Sequence, residues 1–170
     1  NGLTGPLPPE VGNLGSLDWL HLNLNELSGT IPPELGNLVN LVWLDLPGNQ
    51  FTGEIPPELG NLSNLERLIL GSNYTMSGEI PPELGNLSKL QHLQLNSLDL
   101  VGEIPPELGN LAELRALYLH LNDLTGEIPP GLGNLAELHT LYLSTNKLSG
   151  DIPAELANMA SLQGLYLHDN

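Results

Sequence analysis

Residues Gly102 to Leu111 read GEIPPELGNL, and the rest of the chain is written in the same ten letters. The identical string stands at Gly53 to Leu62 and at Gly78 to Leu87, with GTIPPELGNL at Gly29 to Leu38 and GEIPPGLGNL at Gly126 to Leu135. Looser copies are GPLPPEVGNL at Gly5 to Leu14 and GDIPAELANM at Gly150 to Met159. Self-similarity at a fixed period of this size predicts a stacked array, in which each unit buries its apolar face against its neighbours. Function must then be sought in the positions that change between copies.

Aligned on Leu17, the unit is LxxLxLxxNxL(S/T)GxIPxELGNLxx, with first leucines at Leu17, Leu41, Leu65, Leu90, Leu114, Leu138 and Leu162. The spacing is 24 residues except for 25 between Leu65 and Leu90, and the extra residue falls in the stretch Asn73 to Ser77, read as a bulge in a connecting loop. The alternation of Leu20 and Leu22 predicts a short strand with one buried face. Successive copies would lie side by side, parallel and about 4.8 Å apart. Leu27, Ile31, Leu35 and Leu38 bring the chain back over the same core, and Phe51 takes the place of a core leucine. Pro32 and Pro33 hold extended backbone, Gly29 and Gly36 permit tight turns, and a 3₁₀ turn is expected near Pro33 to Leu35.

Asn1, Asn25, Asn49, Asn73, Asn122, Asn146 and Asn170 share one slot. A stacked amide there can satisfy loop backbone groups that no strand reaches, so the column reads as an asparagine ladder. Leu98 stands where the fourth asparagine belongs. It should interrupt the ladder and leave loop amides to water or to Asn96, making the middle of the array the expected place for altered twist or looseness.

This pattern resembles the leucine-rich repeat family across essentially the whole chain. The (L)TGxIPxELGNL segment is similar to its plant-specific subclass, seen in receptor-kinase ectodomains and polygalacturonase-inhibiting proteins. The resemblance implies an α/β solenoid: a right-handed array with a parallel concave β-sheet and a convex side of 3₁₀ turns and loops. It also implies a second, shorter sheet around Gly29 to Ile31, and a place outside the cell or at its surface. Residues 1–170 are expected to form one domain of about seven repeats. No capping repeat is visible at either end, which a fragment, an engineered excerpt or end-to-end self-association through the uncapped ends would each explain.

Composition narrows the classes. Absence of Cys excludes disulfides and zinc–thiolate sites. No stretch approaches the roughly 20 apolar residues of a membrane span, and no signal peptide opens the chain. The formal charge of -16 is largely repeat-borne. Glu10, Glu34, Glu58, Glu83, Glu107 and Glu155 share one slot, while Glu54, Glu79, Glu103, Glu127 and Asp151 share another. These carboxylates argue against nucleic acid or an anionic membrane as partner.

The outward positions of the LxxLxL segment carry the variation. The residue before the second leucine runs Trp19, Trp43, Arg67, His92, Ala116, Thr140, Gly164, and the residue after it runs His21, Asp45, Ile69, Gln94, Tyr118, Tyr142, Tyr166. The residue after the third leucine runs Asn23, Pro47, Gly71, Asn96, His120, Ser144, His168; Arg115 and His139 each follow a first leucine. Exposed aromatics and Arg clustered on a preformed surface have the composition of binding hot spots. The alternative is that aromatics merely suit exposed strands and pack across them.

Two subsites follow. In the first, Trp19 and Trp43 stack, Arg67 offers a cation–π end, and His21 faces Asp45. The second is the ladder Tyr118–Tyr142–Tyr166, flanked by His120, His168, His139, Leu121 and Arg115. The trough would span roughly 30 Å, enough for an extended peptide or an oligosaccharide. Its histidines predict binding that changes between about pH 5 and about pH 7. No metal or cofactor is expected, because His120 and His168 stand two strands apart, about 10 Å, too far for one tetrahedral ion. Asp45 and Glu66 open onto a broad trough, and no nucleophile triad or phosphate loop is present. The sequons at Asn61, Asn73 and Asn86 leave Asn61 and Asn86 as glycosylation candidates, since Asn73 belongs to the ladder; chance is the alternative, because the repeat itself supplies Asn-Leu.

The function expected is non-catalytic recognition of a protein or peptide, with a glycan as a further ligand class, by part of a larger extracellular or cell-surface protein. The competing reading is a structural or adhesive spacer, or a designed scaffold, with no ligand of its own. Inhibition of a cell-wall enzyme rests on family analogy alone.

Overall fold

In the computed structural model, which describes residues 2–170, every repeat makes the same circuit of strand, asparagine loop, second extended segment and 3₁₀ turn. The first N-terminal half-turn contributes β1 (Thr4–Pro6). After it, β2 (Trp19–His21), β4 (Trp43–Asp45), β6 (Arg67–Ile69), β8 (His92–Gln94), β10 (Ala116–Tyr118), β11 (Thr140–Tyr142) and β12 (Gly164–Tyr166) form one seven-stranded parallel sheet in sequence order. Each is three residues long. The backbone ladder continues past the strand ends, as where Leu22 N–H donates to Asp45 O and Leu46 N–H to Ile69 O, both at 2.9 Å.

The second sheet that the family resemblance implies is present: β1, β3 (Glu26–Thr30), β5 (Gln50–Gly53), β7 (Thr75–Gly78) and β9 (Asp99–Leu100). Beyond β9 it thins to the single bridges Glu103–Thr125 and Glu127–Ser149. The expected 3₁₀ turns run from Pro9–Asn13 through Pro33–Asn37 to Ala154–Asn158, each opening after a proline in extended conformation. Between the layers the strand leucines of the inner copies, from Leu41 to Leu143, are fully buried, and Phe51 is buried among them, whereas Leu17, Leu20 and Leu22 at one end and Leu162 and Leu167 at the other are partly covered. Each such side chain contributes about 1.5–3 kcal/mol of hydrophobic stabilisation.

Glycine is required where repeats pack turn on turn. A Cβ on Gly60 would collide with the backbone carbonyl of Glu83, and Gly36 stands in the same relation to Glu58. The turn glycine recurs from Gly12 to Gly133 because the next copy lies against it, leaving no room for a methyl group, and only the last turn carries an alanine, Ala157.

The ladder forms as expected for Asn25, Asn49, Asn73, Asn122, Asn146 and Asn170; Asn1 lies outside the described residues. Each Oδ1 accepts from a backbone N–H 22 residues earlier, as Asn73 does from Phe51 at 3.2 Å. Its Nδ2 bridges two carbonyls, those of Leu46 and Leu70.

At Leu98 the expectation is corrected. The donor that should have met an asparagine there is Met76 N–H, and it turns instead onto Asn73 O at 3.0 Å. The residue inserted after Asn73 makes that turn possible. The two carbonyls that the missing amide would have served are still reached, Leu70 O by Asn73 and Leu95 O by Asn122. Asn96 does not substitute: its Nδ2 donates to Ser97 Oγ and its buried Oδ1 has no partner. Leu98 joins the core at 3% exposure. The seven-stranded sheet therefore runs unbroken through the irregular repeat, with Arg67, Leu68 and Ile69 in register with His92, Leu93 and Gln94.

Candidate ligand-recognition face

Alternation within each three-residue strand sends the central leucine inward and its two neighbours outward. Leu44, Leu68 and Leu93 are fully buried, while Trp19 and Trp43 remain 57% and 40% exposed. The register places Trp19 beside Trp43 and His21 beside Asp45 on β2 and β4, Arg67 beside His92 on β6 and β8, and Tyr118, Tyr142 and Tyr166 in one row across β10, β11 and β12. Ile69 is an exception: although it belongs to the outward column, its neighbours cover it to 4% exposure, which makes the middle of the face smoother than the leucine pattern suggests.

The first subsite differs from expectation in its contacts. Trp19 and Trp43 do not stack; they meet edge to face, with centroids 6.5 Å apart and planes at 60°. This is an arrangement the ring quadrupoles favour. Arg67 does not cap them as a cation–π partner. Its Nε donates to Asp45 Oδ1 at 3.0 Å, while His21 Nδ1 lies 3.0 Å from Asp45 Oδ2 and its ring packs edge-on to Trp43. Asp45, only 13% exposed at its side chain, is the hub that orders the subsite. A desolvated carboxylate with two directed partners outcompetes the weaker attraction of an exposed indole face.

In the second subsite Tyr142 is the centre. His120 stacks on it at 3.9 Å, Tyr166 lies 4.6 Å away and Tyr118 6.3 Å. His168 approaches Tyr142 at 6.3 Å. His139 stays out of this group: its Nδ1 lies 2.8 Å from the Glu137 carbonyl, and the exposed Arg115 precedes β10 in the equivalent column. Burial against Tyr142 lowers the proton affinity of His120 below the ordinary value, and its Nδ1 is buried without a partner. His92 is lowered too, first by burial and then by the guanidinium charges of Arg67 and Arg115.

Leucine periodicity does not reveal one feature of the rim. The residue just before each ladder position is left-handed, with φ between 55° and 65° from Leu24 to Asp169, and only Gly48 in that column is a glycine. This twist aims the asparagine inward, and it leaves Leu24 and Leu121 exposed at the edge of the face. A slot filled by Leu, Gly, Ser, Thr and Asp carries no compositional signature. Among the described residues no cluster of three or more metal-capable side chains occurs, and no helix is long and apolar enough to cross a membrane.

A leucine-rich repeat region model matches residues 8–126, and a leucine-rich repeat model matches residues 137–159. The chain belongs to the leucine-rich repeat family, in its plant type. Among solved structures it is similar to the ectodomain of the Arabidopsis thaliana membrane receptor kinase GASSHO1/SCHENGEN3 in complex with CASPARIAN STRIP INTEGRITY FACTOR 2. The identity is 45% and the TM-score 0.97, over 99% of this chain and 20% of that one. The plant peptide hormone receptor RGFR1 in complex with RGF2 matches at 38% identity and TM-score 0.93, over 96% of this chain and 27% of the receptor. A plant ice-binding protein matches at 32% identity and TM-score 0.79, over 97% of this chain and 61% of that protein. The chain thus spans about a fifth to a quarter of the receptor ectodomains it resembles. No curated protein sequence matches it.

Proposed function

We propose that this chain is a non-catalytic recognition module that binds an extended peptide across its seven-stranded face, as part of a larger extracellular or cell-surface protein. The observation that carries the reading is the arrangement of that face: two Trp and three Tyr held in register on a rigid sheet, open to solvent, with Arg67, Arg115 and the histidines between them. Ordered, exposed aromatics lose little conformational entropy on binding and offer large contact areas. The similar receptor structures, which hold CASPARIAN STRIP INTEGRITY FACTOR 2 and RGF2, support a peptide as the ligand class. Asp45 has both oxygens committed to His21 and Arg67, which suits a structural hub rather than an acid or base.

Replacing Trp19 and Trp43 together by Ala, and separately Tyr142 by Ala, tests the reading in a screen of immobilised extended peptides. Capture should fall at least about tenfold, or roughly 1.4 kcal/mol, while circular dichroism and unfolding midpoint stay close to those of the parent. Undiminished capture by both variants would move binding away from these aromatics, and no capture by the parent chain would point to a spacer.

A further inference from the structure

Val101 breaks a column of the second sheet. The slot before the glycine of each copy holds Thr4, Ser28, Thr52, Ser77, Thr125 and Ser149, and only Val101 fills it with a hydrocarbon. A hydroxyl in this slot can turn back onto the backbone of the preceding repeat. Thr125 Oγ1 donates to Gly102 O at 3.3 Å, and Ser149 Oγ to Gly126 O at 3.4 Å. Val101 has no such bond to make, and it stays 43% exposed just past β9.

Val101 forms one wall of a groove of about 510 Å³, lined also by Ile55, Ile80, Pro82 and the carboxylates Glu54 and Glu79. The sheet holds both acids in place. Each lies over the left-handed glycine of the next repeat, Gly78 or Gly102, so closely that a Cβ there would collide with the Glu Cγ. Among the described residues neither carboxylate has an ion pair. The cations of this chain are placed elsewhere: Arg67 and Lys147 hold Asp45 and Asp123, Lys89 donates to Asn64, and Arg115 precedes β10. An equivalent groove two repeats on, of about 400 Å³, is lined by Glu103, Ile104, Glu127 and Ile128, but Ser149 takes the slot of Val101.

An exposed aliphatic wall beside two ordered, unpaired carboxylates matches one kind of side chain, a long cation on an apolar stem. We propose that this groove is a docking site for a Lys or Arg on a basic segment of a protein partner. The methylene stem lies along Val101 and Pro82, and the cationic head sits between Glu54 and Glu79. There it relieves the repulsion between like charges on neighbouring strands. The net charge of -16 draws a basic segment toward the chain as a whole. Val101 decides where along the periodic acid row that segment stops. The site lies on the second sheet and does not depend on the recognition face proposed above.

The test uses the 170-residue chain and fluorescent peptides of roughly nine residues. One peptide carries a central Arg between valines, and a second replaces that Arg by citrulline, which keeps the shape and removes the charge. The Arg peptide should bind at least about tenfold more tightly, with the difference shrinking at high salt. Val101→Thr, which installs the residue of the regular copies, should weaken binding by about threefold or more, and Glu79→Gln by a larger factor. Glu127→Gln in the equivalent groove should leave binding unchanged, as should Trp19→Ala with Trp43→Ala on the other sheet. Equal losses with Glu79→Gln and Glu127→Gln reduce the interaction to diffuse attraction and overturn the site, and so does Val101→Thr without effect. Loss with the tryptophan pair puts the peptide on the seven-stranded face and overturns the second-sheet site while leaving peptide recognition standing. Equal binding of the Arg and citrulline peptides, or no binding of either, overturns the proposal as well.

Discussion

Met76 N–H donates to Asn73 O at 3.0 Å, in the one repeat whose ladder position is filled by Leu98. The long repeat and the missing asparagine are therefore one feature. An orphaned buried N–H costs about 1–3 kcal/mol, and the inserted residue lets this one close a local turn. Leu98→Asn alone should destabilise by about 1–3 kcal/mol, because it replaces a buried leucine with an amide whose expected donor is already engaged. Deleting Tyr74 alone should cost a similar amount by freeing Met76 N–H. The combined variant restores the regular ladder, so its cost should fall well below the sum. Denaturant unfolding of the four proteins forms a cycle, and strict additivity would show the two sites to be independent.

The left-handed rim column gives a prediction of opposite sign. Thr145 is exposed, β-branched and held at φ 55°, a conformation that glycine adopts without strain. Thr145→Gly should stabilise the protein by about 0.5–1 kcal/mol, against the usual effect of introducing glycine. Gly48→Ala in the same column should destabilise, since an alanine is strained at φ 65° even if the exposed Leu24 side chain moves aside from its Cβ. Thermal melts of both variants check the pair, and a lower midpoint for Thr145→Gly would refute the strain argument.

For His120 the sign follows from its depressed proton affinity. The unfolded chain binds this proton near the ordinary value of 6.5, and the folded chain binds it only at lower pH. Between the two the unfolded state holds more protons, so this group's contribution is intact above about pH 6.5 and is lost as pH falls. The rings that face it are those of Tyr118 and Tyr142. Relative to His120→Phe, the parent should lose stability between about pH 7 and about pH 5. Urea titrations at several pH values measure this, and a constant offset between the two proteins would rule it out.

Glycosylation separates the three sequons by burial. Asn61 and Asn86 are exposed at the ends of 3₁₀ turns, on the opposite side of each repeat from the seven-stranded face. Asn73 is fully buried with both its oxygen and its nitrogen bonded. Secretion from a eukaryotic host should give glycans at Asn61 and Asn86 and none at Asn73, read by mass spectrometry of the glycopeptides. Occupancy at Asn73 would mean that the ladder opens.

Most of the repeat unit was legible from the spacing of its slots. Recurring Leu, Pro, Gly and Asn positions gave the strands of the seven-stranded sheet, the turns and the ladder, whereas the second, shorter sheet came only with the family resemblance. The same alternation placed Trp19, Trp43 and the three tyrosines on one face. Contacts between neighbouring side chains were not legible, because they depend on competition among partners at close range. Arg67 had a choice between an indole and a carboxylate, and geometry decided for Asp45. Met76 had a choice between a missing amide and a local carbonyl, and only the folded loop shows which it takes. Periodicity thus determined where each residue stands, while tertiary packing decided which groups it touches, because contact energies turn on distances of a few ångströms that no repeat length encodes.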